Sequence, residues 1–197
     1  AYGIHVKFDR DALHLLACRA FEEHTGARGL ISAVEQALLG FEKHLPSTRT
    51  QFFTITKQVI ENPNHWLAEL ELQQNQTVLL AEYEKAKSNE VADVRHYIFA
   101  NKRRLSEKHG ISLTDHRIDL MAAYYSESIM DIETLFSKFN YFCEQIKTIE
   151  MRFFKNHGLN IVLEEESFDH IIAQWLGKRV DVDAVYKQLS MVFEYGL

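Results

Sequence analysis

The sequence predicts a mostly α (α+β) chain: a small strand–helix–helix–strand unit, then a long helical hairpin, then a terminal helix pair. Three observations predict it. Helix breakers are scarce, with 2 Pro and 8 Gly in 197 residues, which favours long helices. Apolar residues recur at three- and four-residue spacing over most of the length. Two early runs, 4–8 and 51–56, have strand character.

Residues 4–8, Ile-His-Val-Lys-Phe, alternate apolar and polar like a half-buried strand. Asp9 is placed to cap a helix reaching about His24. On it, Leu13, Leu16, Ala17, Ala20 and Phe21 are expected on one buried face. Thr25-Gly26 breaks that helix, and a second runs from about Ala27 to His44. Leu30, Val34, Leu38 and Phe41 mark its inner face, and Leu45-Pro46-Ser47 ends it. Residues 51–56, Gln-Phe-Phe-Thr-Ile-Thr, are aromatic and β-branched, as a second strand requires. Asn62-Pro63-Asn64 reads as a turn or helix entry. Residues 1–65 thus form one unit, in which helices must cover two strands that would be marginal alone.

From Trp66 to about Lys108 the pattern is helical but polar, with Ser88-Asn89 as an expected interruption. Gly110 suits a C-cap, and Thr114 or Asp115 an N-cap. Tyr125, Ile129, Ile132, Phe136, Phe139, Cys143 and Ile146 then follow at steps of 4 and 3, the seam of a helix packed at a shallow angle. Leu135, Phe142, Ile149 and Phe153 widen that stripe. One helix over Thr114–Asn156 would be about 65 Å long. The expectation for 66–156 is a long antiparallel hairpin turning near His109–Leu113.

His157-Gly158 ends the helix, and Asn160-Ile161-Val162-Leu163 reads as a short strand. Phe168, Ile171, Ile172, Trp175 and Leu176 form an amphipathic stripe ending at Gly177. Asp181 is placed to cap a last helix carrying Val182, Val185, Leu189 and Phe193. Residues 157–197 read as a terminal helix pair, which is either a degenerate echo of 4–45 or a second helical hairpin alike by chance; it has no counterpart of the glycine turn at 26–29.

Composition narrows the function classes. Net charge is −6, with 28 acidic and 22 basic residues, the wrong sign for a general nucleic-acid binder. No apolar run approaches the ~18–20 residues that span a bilayer, and no signal peptide is present. The 2 cysteines, Cys18 and Cys143, lie on apolar helical stripes and read as small buried hydrophobes. The expected setting is the reducing cytoplasm. The chain opens Ala1-Tyr2-Gly3-Ile4 without an initiator methionine, so a fragment of a longer protein is expected.

The most informative stretch is Thr25-Gly26-Ala27-Arg28-Gly29-Leu30. Gly26 separates two helices, and Gly29 keeps the backbone bare in the first turn of the second. Arg28 therefore stands near a helix N-terminus, where a cation opposes the helix dipole by about 0.3–1 kcal/mol. Two readings follow. Arg28 is paired with Glu22 or Glu23 or merely solvated, or an anion belongs beside it.

Residues from Val6 to Pro46 resemble the small domain of Clp-type AAA+ ATPases, most closely that of ClpX. The resemblance rests on the strand, Phe8-Asp9-x-x-Ala12-Leu13, a helix, Thr25-Gly26-Ala27-Arg28-Gly29-Leu30, a second helix, and Leu45-Pro46-Ser47. Val59-Ile60-Glu61-Asn62-Pro63 resembles the end of that domain. The resemblance implies that 1–65 is an AAA+ lid and that Arg28 is its sensor 2 arginine, flanked by Gly26, Ala27 and Gly29. It would reach the phosphates of ATP (with Mg2+) held by a large ATPase domain. Implied partners are that large domain, neighbouring subunits of a ring (a hexamer), and protein substrates or adaptors. The loop that contacts a ClpP-like peptidase belongs to the large domain, so that partner stays open. Ile31 stands where the family commonly carries another arginine, and residues 66–197 are an extension the resemblance does not cover.

Other chemistry lacks a motif. There is no Gly-x-x-x-x-Gly-Lys-Ser/Thr loop, so this chain alone is expected neither to hydrolyse ATP nor to carry a cofactor. Asp93 and His96 share a helix face, but no second pair completes a metal site. Lys102-Arg103-Arg104 with Lys108 reads as a solvated basic face or a contact for an acidic partner. The leading expectation is the sensor module of a ClpX-like unfoldase or remodelling ATPase, with 66–156 as a docking arm. The alternative is a non-ATPase helical interaction module built on 66–197.

Overall fold

In the computed structural model the two early strands pair in parallel. Strand β1 (His5–Phe8) lies beside β2 (Phe52–Ile55), with His5 opposite Phe52 and Phe8 opposite Ile55. Parallel strands cannot be joined by a tight turn, and the connection here is a helical pair, α1 (Arg10–Glu22) and α2 (Ala27–His44). A 3-10 turn, Leu45–Ser47, leads back towards β2. The structure describes residues 3–22, 24, 26–71, 76–128, 130–176, 178 and 181–194. Ala1, Tyr2, Glu23, Thr25, Ile129, Gly177 and the side chains of Ala27 and Phe193 lie outside the described residues. The chain forms two compact units, Ala1–Asn89 and Glu90–Leu197.

In the first unit Asp9 caps α1, its carboxylate accepting from the Ala12 N–H at 2.6 Å. The alternating residues of β2 point to opposite faces. Phe53 and Ile55 are buried with Ala12, Leu16, Ala33 and Phe41, and the Phe41 and Phe53 rings lie 5.2 Å apart. On the other face Phe52 stacks on His5 at 5.4 Å and meets Tyr83 at 5.0 Å. Tyr83 lies on α5 (Gln76–Ala100), so that helix covers the second face of the strand pair. Between them run α3 (Lys57–Glu61), capped by Thr56, and α4 (Pro63–Glu71), which makes Pro63 a helix entry.

Two expectations for this unit are corrected. The buried row of α1 is Ala12, Leu16 and Ala20, while Leu13 (52% exposed), Ala17 and Phe21 (78% exposed) face outward. Adjacent i, i+4 rows share one apolar stripe, and the row with small residues at its ends faces α2. Cys18 is exposed with the outward residues rather than buried, and Leu30 on α2 is likewise exposed.

The second unit is helical. Helices α6 (Lys102–His109), α7 (Asp115–Glu127), α8 (Ile132–His157), α9 (Glu165–Trp175) and α10 (Val182–Glu194) follow α5. Gly110 and Gly158 end α6 and α8 in the left-handed region, both at φ 68°, and Thr114 caps α7. Asp181 caps α10, accepting from the Ala184 N–H at 2.8 Å. Leu135, Phe136, Phe139, Phe142, Ile146, Ile149 and Phe153 form the buried face of α8, against Ile98, Ile118, Met121, Ile172 and Trp175 in one core.

Three further expectations give way here. The single helix Thr114–Asn156 is two helices, because Ser128 turns extended and Asp131 starts a new helix by accepting from the Thr134 N–H at 2.7 Å. That bond and the Thr134 hydroxyl hold the Asp131 carboxyl below its ordinary value. Ser88-Asn89 do not interrupt α5. Residues 160–163 form no strand, since the Leu163 N–H donates at 2.8 Å to the Glu150 carboxylate of α8 rather than to a sheet neighbour. The echo of 4–45 therefore lacks its strand. The basic run is paired internally: Lys102 with Asp115 at 3.6 Å, Arg103 with Glu107 at 2.9 Å, Lys108 with Glu133 at 2.5 Å.

Arg117 and Asp169 are the polar pair inside this unit, 8% and 3% exposed. The Arg117 Nε donates to Asp169 at 2.6 Å, and Nη1 reaches the Ser112 carbonyl at 3.0 Å and Glu165 at 3.1 Å. Removing one partner of such a pair strands a buried charge. Arg117→Ala should destabilise the chain by about 3–5 kcal/mol, and Arg117→Met with Asp169→Leu should recover most of that loss in denaturant unfolding. In a thiol-labelling assay Cys18 should react fast. Cys143 should react slowly even at mildly alkaline pH, because burial raises its thiol pKa.

Candidate functional site: the turn between α1 and α2

The turn is built from backbone conformations that few residues tolerate. His24 lies at φ 54°, with its N–H donating to the Phe21 carbonyl at 3.1 Å. Gly26, the N-cap of α2, lies at φ 61° and ψ −135°, a region open in practice only to glycine. A Cβ at Gly26 would meet nothing within 4 Å. Its role is conformational freedom, not close packing.

Gly26 has no side chain with which to cap α2, and no acidic residue stands in the first turn. The leading N–H groups of an 18-residue helix thus keep their partial positive charge. Arg28 sits in that turn with its side chain exposed, and Gly29 is buried behind it. Among the described residues, nothing pairs with Arg28. Glu22, the other described carboxylate considered for it, is exposed on α1. A guanidinium and open helix N–H groups in one place suit an anion such as a phosphate group.

Beside this turn lies an open apolar groove of about 510 Å³, lined by Ala17, Ala20, Phe21, His24, Gly26 and Leu30. Phe21 and His24 meet edge to face at 6.2 Å. Periodicity alone placed Phe21, Ala17 and Leu30 inside. The available signal was position: all three flank the Thr25-Gly26 break, where a helix end is least covered. Among the described residues no group of three metal-ligating side chains occurs, at Asp93 and His96 or elsewhere. No helix among them is long and apolar enough to cross a membrane.

Gly26→Ala should destabilise the first unit by roughly 1–3 kcal/mol, the cost of a non-glycine residue at that φ and ψ. Gly26→Asn should cost about as much, because ψ −135° lies outside the left-handed helical region that asparagine tolerates. Thermal unfolding of the two variants checks both.

Residues 1–40 match the family model ClpB_D2-small, described as the C-terminal, D2-small domain of ClpB protein. No solved structure matches the chain. The matched segment holds β1, α1, the glycine turn and most of α2, so the likeness covers the candidate site. It is a likeness to a Clp/Hsp100 AAA+ small domain, and it is not specific to ClpX.

Proposed function

We propose that the first unit is the lid of an ATP-dependent, ring-forming Clp-type remodelling ATPase, with Arg28 as its sensor 2 arginine. The observation that carries this reading is an exposed Arg28, without a partner among the described residues, at the start of a helix whose N-cap has no side-chain bond, beside an open apolar groove. An arginine in that position is unfavourable by itself. It becomes favourable when a large ATPase domain brings ATP phosphates to it and covers the groove. Gly26, Ala27 and Gly29 then act as positioning residues, keeping the turn slim enough for a second domain to approach. Within the Clp group, the Gly-Ala-Arg-Gly-Leu sequence favours a ClpX-like lid, in a hexameric ring acting on protein substrates. The chain alone lacks a phosphate loop, so ATP with Mg2+ is bound and hydrolysed only with the large domain present.

The second unit supports a different role. Its own core, with Tyr141, Met151 and Phe154 exposed on α8, suits a docking arm for substrates or adaptors. A non-ATPase interaction module is the competing reading for the whole chain. The segment preceding residue 1 separates the two. A phosphate-binding loop there supports the lid, and its absence favours the module.

In the intact ATPase, Arg28→Ala should lower ATP turnover about a hundredfold or more, the scale for losing one donor to charge that develops in the reaction. Arg28→Lys should restore only part of it, because lysine lacks the forked geometry. Unchanged steady-state hydrolysis in Arg28→Ala would exclude the sensor role.

A further inference from the structure

In the first unit, Thr50, α4 and the start of α5 line a partly open cavity of about 180 Å³. Its apolar wall is Trp66, Leu70 and Leu79, and Glu69 and Glu82 supply two carboxylates. His65 lies at its side, with the Trp66 ring edge-on at 6.0 Å. Among the described residues no lysine or arginine lines it, and no ion pair engages Glu69 or Glu82. An apolar cavity of about 150 Å³ accepts a benzene-sized group, so this one has room for a single side chain.

We infer that the cavity is a docking site for an arginine side chain of a partner polypeptide. The charge selects the occupant: two carboxylates without a cation repel phosphates and acidic segments and attract a base. Trp66 is part of the lining, and a guanidinium stacks on indole better than an ammonium does. Leu70 and Leu79 fit the aliphatic stem that carries it. The carboxylates accept the guanidinium N–H groups in charge-assisted bonds. Recognition of this kind reads one basic residue in an otherwise variable segment. The site is separate from the Arg28 turn and does not depend on the ATPase reading.

The test is titration of Nα-acetyl-arginine amide into the 197-residue chain, followed by NMR at the two tryptophan indoles. Trp175, buried in the other unit, is the internal control. A saturable shift at Trp66 with Trp175 unmoved is expected. Glu69→Gln with Glu82→Gln, which removes charge without touching the core, should weaken binding about tenfold or more. Nα-acetyl-norleucine amide, with a stem but no charge, should leave Trp66 unmoved. An equal response to the norleucine compound, equal binding by the double variant, or no saturable shift at Trp66 would each overturn the proposal.

Discussion

The parallel pairing of β1 with β2 is the constraint on which the first unit depends. An antiparallel pair would need only a short loop. A parallel pair obliges the chain to travel the length of the strands again before it can return. The helices α1 and α2 make that journey, and they do so by folding back on each other, with His24 and Gly26 at positive φ between them. The turn is therefore a consequence of the sheet. Its positive-φ glycine, its uncapped helix start and its exposed arginine all follow from reversing the chain in so few residues.

Much of this was legible in the sequence. Asp9, Thr114 and Asp181 announced helix starts through their capping side chains, and Gly110 and Gly158 announced helix ends. Local bonds of this kind act within three or four residues, so a linear reading captures them. The bounds of α2 were readable for the same reason. The parallel sense of the strands was not, because nothing local distinguishes it. Nor was the orientation of α1: rows 12/16/20 and 13/17/21 are both apolar enough to face a core. The choice fell to close packing against α2. Leu13, Ala17 and Phe21 were misplaced on this account, and with them the groove that borders Arg28.

The second unit shows the same division between local and distant causes. The seven-residue buried face of α8 was visible as an apolar stripe, and it became the centre of the core. The break before α8 went unread, because the apolar spacing continues across it while Asp131 supplies a competing start signal. Arg117 and Asp169 are 52 positions apart, and no periodicity pairs a cation with an anion over that distance. Their ion pair ties α7 to α9. It carries the carbonyl of Ser112 and the carboxylate of Glu165 with it, so the buried charge is satisfied on several sides.

The groove and the arginine belong to one physical problem. Phe21, at 78% exposure, leaves apolar area in water, and covering a phenylalanine gains about 1.5–3 kcal/mol. Arg28 in the first turn of α2 gains only when negative charge arrives. A body that brought phosphate alone would leave the groove wet, and one that brought apolar surface alone would leave the arginine against the dipole. A domain carrying a bound nucleotide answers both at once. If the nucleotide is what completes the electrostatics, loss of its terminal phosphate weakens the hold on Arg28 while the apolar contact persists. On the proposed reading, that difference between a constant apolar contact and a variable ionic one is what would let the first unit turn with nucleotide state instead of leaving altogether.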